Sequence, residues 1–302
     1  MNILMPCKTK TEPLRTAKSI LESRGHACLL YPFESAAKTA DKIRSSTFDA
    51  VVVTESAALA GVPDGSRSIY LSYDFFCTER RFPSVSSCLV AHDDLTFDFI
   101  THGARDKSVH TCGIPLRDAY RRTLPQSECR RALGLSEKRP VFLMIGETVS
   151  LSVLKSTVRA MRTLCPDAQS ILLGSSESRR KSWMSAFAGD PNVFVSDTEM
   201  DLPLAMCASD AVFTPALSAF VCAAARQEKI VPLLHSAVPR ARKNAGFLDA
   251  RGAAFRGKTA ADNVSYACRL LESDRLRGNM TAAQEKTILP DAEERFLRVI
   301  ES

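Results

Sequence analysis

The chain has 302 residues, 45% of them hydrophobic and 25% charged, an ordinary globular composition on a chain longer than one core usually serves, so two domains are expected. A net charge of +6 and a pI of about 8.8 suit an anionic surface or a phosphorylated ligand and exclude the dense basic character of a dedicated nucleic-acid binder. No apolar run approaches the ~18–20 residues that span a bilayer. The opening MNILMPCK has too short an apolar stretch for a signal peptide and reads as a first buried strand.

In chain order, short apolar runs alternate with amphipathic stretches, the pattern of parallel strands joined by crossover helices. NILMP predicts a strand and TEPLRTAKSILESRG a helix, with Leu14, Ala17, Ile20 and Leu21 on one face and Gly25 closing it. ACLLYPF, FDAVVVT, RSIYLSY and CLVAH follow as strands, and their near-continuous apolar character predicts burial on both faces. The basic, proline-punctuated stretch LRDAYRRTLPQSECRRALGLSEKRP reads as a linker with short helices. A second series then runs PVFLMIGE, a helix LSVLKSTVRAMRTLC, and the strands QSILLGS, NVFVSDT, DAVFTP and KIVPLL. DAEERFLRVIES predicts a terminal helix. The expected organisation is an N-terminal Rossmann-like domain over 1–116, a linker over 117–139, a C-terminal Rossmann-like domain over 140–288, and a helix over 289–302 packing back toward the first domain. The expected fold class is α/β, with two parallel sheets facing a central cleft.

Chemistry is sparse in this pattern. Ten cysteines are scattered without a C-x-x-C pair or a histidine at zinc spacing, which predicts a reducing cytoplasm, no disulfide framework and no metal site. Neither the dinucleotide-binding glycine loop nor the P-loop is present. Gly146 and Gly174 stand alone at strand ends, where they either let the backbone approach a phosphate or merely permit a turn. In GIPLR, Pro115 fixes the backbone and Arg117 projects as a phosphate partner or as a solvated hinge cation. Asp74, in LSYDFF, reads from its local sequence as an N-cap or turn aspartate. The basic runs at Arg121-Arg122, Arg130-Arg131 and Arg179-Arg180-Lys181 are candidates for anionic lipid, set against the plainer reading of solvated faces.

The order CLVAH, VHTCGIPLRDAYRR, RRALGL, RPVFLMIGE, LLGS, NVFVSD, LPLAMCASD, a strand-turn-helix, IVPLL and NAGFLDARGAAF resembles one group of GT-B glycosyltransferases. The group comprises monogalactosyldiacylglycerol synthase, processive diacylglycerol glucosyltransferase and the peptidoglycan lipid-intermediate GlcNAc transferase. The resemblance is strongest between Ser87 and Phe255. It implies metal-independent, inverting transfer of a hexose from a UDP-sugar to a lipid-linked or small-molecule acceptor. UDP-sugar is the co-substrate, and no other cofactor is implied. On the donor side it implies Arg117, Gly146, Thr148, Gly174, Ser175, Pro215, Leu217, Ser218 and Asn244, with Asp74 as the acceptor's base. It further implies a cytoplasmic protein, peripheral at the inner membrane face, with an anionic membrane or lipid acceptor as partner and no nucleic acid. The chain departs from the group at its chemistry. The paired glycines of the SDAVFTPALSAF turn are reduced to Ala216, the ribose-binding Glu falls at about Val221, and cations Arg240, Arg242 and Lys243 replace a polar sugar-binding pair. The first loop, CKTKTEPLRTA, lacks the group's His and Gly, and His92, His102 and His110 fall on no catalytic position. A catalytically weak or inactive homologue that binds a nucleotide or a protein is therefore the alternative, and a sugar-nucleotide epimerase the third reading.

Overall fold

The computed structural model describes residues 1–7, 12–63, 65–79, 81–82, 84–120, 124–174, 176–196 and 202–302. They divide into two compact units, Met1–Asp118 with Ile288–Ser302, and Ala119–Thr287. Ser175, Arg121 and Arg122 lie outside the described residues.

The first unit carries β1 (Asn2–Cys7), α1 (Glu12–Ser23), β2 (Ala27–Pro32), α2 (Ala36–Arg44), β3 (Ala50–Val53), β4 (Ser68–Leu71), β5 (Ser87–Val90), α3 (Thr96–Thr101) and β6 (Val109–Thr111). Its strands pair in parallel in the order β2-β1-β3-β4-β5-β6. Leu14, Ala17, Ile20 and Leu21 of α1 pack with Ile3, Met5, Val52 and Ile69, so the helical stripe and the doubly buried strands read from the sequence make one core.

The second unit carries α4 (Gln126–Ala132), β7 (Val141–Ile145), α5 (Leu151–Leu164), β8 (Gln169–Leu173), α6 (Glu177–Ala186), β9 (Val193–Ser196), α7 (Leu202–Ala208), β10 (Ala211–Phe213), α8 (Ser218–Arg226), α9 (Pro239–Ala250), α10 (Ala260–Glu272) and α11 (Asp274–Thr287). The strand order is β10-β7-β8-β9, again parallel. KIVPLL, expected as a regular strand, is held only by isolated parallel bridges, Ala211 to Ile230 and Thr214 to Leu233, because Pro232 has no N–H to donate to a ladder. A further bridge from Pro232 to Phe255 carries the sheet one segment beyond.

α12 (Ala292–Glu301) returns to the first unit, where Phe296 and Ile300 are fully buried in its core. It also fixes the GIPLR turn. Leu116 N–H donates to the buried Glu293 carboxylate at 2.6 Å, and Gly113 sits at φ 83 with Ala292 Cβ 2.9 Å from where a Cβ would stand. Only glycine suits both the left-handed backbone and the missing space.

One basic run is corrected by the structure. Arg130 does not face solvent. Its guanidinium donates to Asp210 Oδ2 at 2.6 Å, to Ala208 O at 3.0 Å and to Glu137 O at 2.8 Å. Asp210 also accepts from Val141 N–H and from Gln126, so α4 is riveted to the start of β7 and β10. Lys229 lies in the same cluster, donating to Cys207 O at 3.0 Å, and burial holds its ammonium pKa below the usual lysine range. The arginine's planar fork is committed to three acceptors within this unit, and that removes it from any lipid-facing role.

Candidate functional site

Parallel α/β sheets hold ligands beyond the carboxyl ends of their strands. In the second unit this edge is built by the turns after β7, β8 and β10 and by the segment that leads into α9. After β7, Val149 N–H donates to Gly146 O at 3.2 Å, closing a four-residue turn with Thr148 in third place at φ 60. A β-branched residue is rarely found there, and this backbone stores strain. Thr148 Oγ1 lies 2.9 Å from Ser236 Oγ, and Arg179 donates to Gly146 O and Val149 O at 3.2 and 3.0 Å. Ser150 and Ser176 cap α5 and α6, accepting from Val153 and Arg179 N–H.

Gly146 and Gly174 have a common physical explanation beyond turn formation. A Cβ on either would lie 2.3 Å from the Trp183 ring, which is buried across both strand ends. The two glycines make room for an indole carried by α6, so an aromatic ring fills the space over them.

After β10, Thr214 Oγ1 donates to Pro215 O at 2.9 Å and Leu217 N–H to the same oxygen at 2.6 Å, a tight turn centred on Ala216. Asn244 Nδ2 donates to Ala216 O and to Ser218 Oγ, both at 3.1 Å. Four expected donor-side residues, Pro215, Leu217, Ser218 and Asn244, are thus assembled at one turn, and part of their polarity is spent on each other. Ala216 and Val221 are buried and offer no side-chain acceptor.

Asp74 and Arg117 belong to the first unit. Asp74 is buried just past β4, and its neighbour Tyr73 donates its hydroxyl to Pro115 O at 3.1 Å, tying that loop to GIPLR. Arg117 Nε lies 2.7 Å from Glu12 Oε1, an ion pair at the start of α1. His92 accepts from Asp94 N–H at the start of a short 3-10 turn, and His102 Nδ1 lies 2.7 Å from Asp98 O. Among the described residues, no group of three or more His, Cys, Asp or Glu side chains is arranged to hold a metal ion. No helix among them is long and apolar enough to cross a membrane. Sequence reasoning missed Trp183 and Ser236. A lone tryptophan in a weakly amphipathic helix and a serine three residues before a helical proline were their only signals.

No protein-family model matches the sequence, and no curated protein matches it. Solved structures match along the whole length. Anabaena HepE in complex with UDP-glucose is 14% identical, with 100% of this chain and 99% of that chain covered and a TM-score of 0.68. MurG of Acinetobacter baumannii is 11% identical, with 99% of each chain covered and a TM-score of 0.67. UDP-GlcNAc 2-epimerase of Neisseria meningitidis, bound to UDP-GlcNAc, is 13% identical, with 100% of each covered and a TM-score of 0.69. With two parallel α/β sheets and these neighbours, the chain has the GT-B fold.

Proposed function

We propose that the chain is a divergent glycosyltransferase that moves a hexose from a UDP-sugar to a lipid-linked or small-molecule acceptor, without a metal and with inversion. The observation that carries this reading is the strained turn at Thr148, placed at the carboxyl edge where parallel sheets hold ligands. The fold supports it, since several structures that share it hold UDP, UDP-glucose or UDP-GlcNAc. In this reading Gly146, Thr148, Gly174, Ser175, Pro215, Leu217, Ser218 and Asn244 line the donor side. Arg117 meets the diphosphate once it exchanges Glu12 for phosphate oxygens, and Asp74 takes the acceptor proton. The closer grouping with the diacylglycerol glycosyltransferases, and a peripheral position on the cytoplasmic face of a membrane, belong to the same proposal.

A second reading, a catalytically weak or inactive homologue that binds a nucleotide or a partner, is favoured by two observations. Ser218 and Asn244 bond each other, and Val221 is buried where the resemblance places a ribose-binding acid.

Calorimetry and thermal shift with UDP, UDP-glucose, UDP-galactose and UDP-GlcNAc separate the readings, followed by a UDP-release assay. The chain's single tryptophan, packed over Gly146 and Gly174, gives an intrinsic fluorescence signal for ligand at that edge. A ligand at 100 times its Kd is expected to stabilise the protein by about 2.7 kcal/mol. Loss of a charge-assisted bond of ~1.5–3 kcal/mol makes Arg117→Ala weaken UDP by about one to two decades. No response to any of the four compounds would end both nucleotide readings. Binding without UDP release across lipid and soluble acceptors would leave the second.

A further inference from the structure

We infer that Ser236 is a positioning residue of this edge, holding Thr148 in its left-handed turn and committing the Thr148 hydroxyl proton, so that Thr148 meets a ligand only as a hydrogen-bond acceptor. The inference rests on the nucleotide-sugar reading for its ligand, though not for its geometry.

The Gly146–Val149 turn has the type II pattern, since its third residue has positive φ and Glu147, the second, does not. Glycine is the usual occupant of that third place, and threonine there needs support from outside the turn. Ser236 supplies it from the segment before α9. Its side chain is buried, its Oγ donates to Thr148 O at 3.3 Å and accepts from Val238 N–H at 3.2 Å, and it stands 2.9 Å from Thr148 Oγ1.

A serine hydroxyl has one proton and two lone pairs. With its proton on Thr148 O and one lone pair on Val238 N–H, Ser236 takes the Thr148 hydroxyl proton on the other. All three contacts are then consistent, and Thr148 Oγ1 is left with lone pairs alone. A phosphate oxygen, itself an acceptor, gains nothing from such a group. A sugar hydroxyl or the imide N–H of a uracil does. Thr148 is therefore assigned to the hydroxyl-bearing or base part of the nucleotide-sugar rather than to its diphosphate. The Ser236 clasp also makes the loop after β7 and the segment before α9 move as one.

The test uses the full chain with Ser236→Ala, Thr148→Gly and the double variant. Glycine takes positive φ without help and lacks the hydroxyl, leaving Ser236 only the bond to the residue 148 carbonyl, so Ser236→Ala should matter less once residue 148 is glycine. Hydrogen exchange of the amides of residues 147–149 is expected to speed up about tenfold in Ser236→Ala relative to wild type. It should change clearly less between Thr148→Gly and the double variant, where only the bond to the residue 148 carbonyl is lost. UDP-glucose Kd should rise about tenfold in Ser236→Ala, the worth of one hydrogen bond, again with a smaller rise on the glycine background. Inorganic pyrophosphate, which lacks the hydroxyl and imide donors, should lose no affinity in Ser236→Ala. A drop in melting temperature alone would accompany any buried-serine loss and is not the readout. Unchanged exchange in Ser236→Ala, or an equal change on both backgrounds, overturns the positioning role. An equal loss of pyrophosphate affinity overturns the acceptor assignment. If wild type binds no uridine nucleotide, the nucleotide-sugar reading fails, while the exchange cycle still decides the role of Ser236.

Discussion

Arg130→Ala or Asp210→Ala is expected to lower unfolding free energy by about 3–5 kcal/mol, measured by urea denaturation with Trp183 fluorescence as the probe within the same unit. The pair sits where the side chains are 7% and 22% exposed, and each partner also serves backbone groups. Removing one leaves the other charged, desolvated and without its counter-ion, which costs more than the pair contributes. The double variant is expected to lose much less than the sum of the two single losses, because the second change removes a charge already stranded. Arg131→Ala is the control. Its bond to Glu137 is exposed on both sides, 71% and 54%, so a loss within about 0.5 kcal/mol is expected. Equal effects at Arg130 and Arg131 would mean that α4 is not riveted to the second sheet.

Gly146→Ala and Gly174→Ala are each expected to destabilise by about 1–3 kcal/mol, since the new methyl group would overlap the Trp183 ring and force it or the strand end to shift. The sign is the informative part. Gly246→Ala, in the exposed middle of α9 with nothing within 4 Å of its new Cβ, should instead stabilise by about 0.5–1 kcal/mol. In a Trp183→Leu background the penalties at 146 and 174 should shrink, which urea titration followed by far-ultraviolet circular dichroism measures. A stabilising Gly146→Ala in the wild-type background would remove the indole from the strand ends.

These two sets of residues also mark what the sequence could and could not reveal. Alternating apolar runs and the stripe Leu14, Ala17, Ile20 and Leu21 follow from burial alone, so the paired α/β architecture was legible. Arg130 was not. Charge in a run is local information, whereas its burial depends on Asp210, eighty residues away. KIVPLL was legible as an extended segment, but its bridges lack the regularity of a ladder because a proline interrupts the donors. At the site, a lone glycine after a strand has the same letter whether or not a ring packs against it, and the Trp183 indole beside Gly146 and Gly174 is visible only in space. Thr148 was identified through a resemblance, while its strain and its clasp to Ser236 are properties of φ and of a loop 88 residues on.

The return of α12 to the first unit has a consequence for how the chain is made. The second unit is continuous, Ala119–Thr287, and can complete its core as soon as its last helix emerges from the ribosome. The first unit is interrupted. Phe296 and Ile300, fully buried against β1 and α1 residues, arrive only after the whole of the second has been synthesised. The half translated first is therefore finished last. A nascent chain stopped at residue 287 would carry a closed second unit behind an open, apolar seam along the first sheet, the kind of surface that holding chaperones bind.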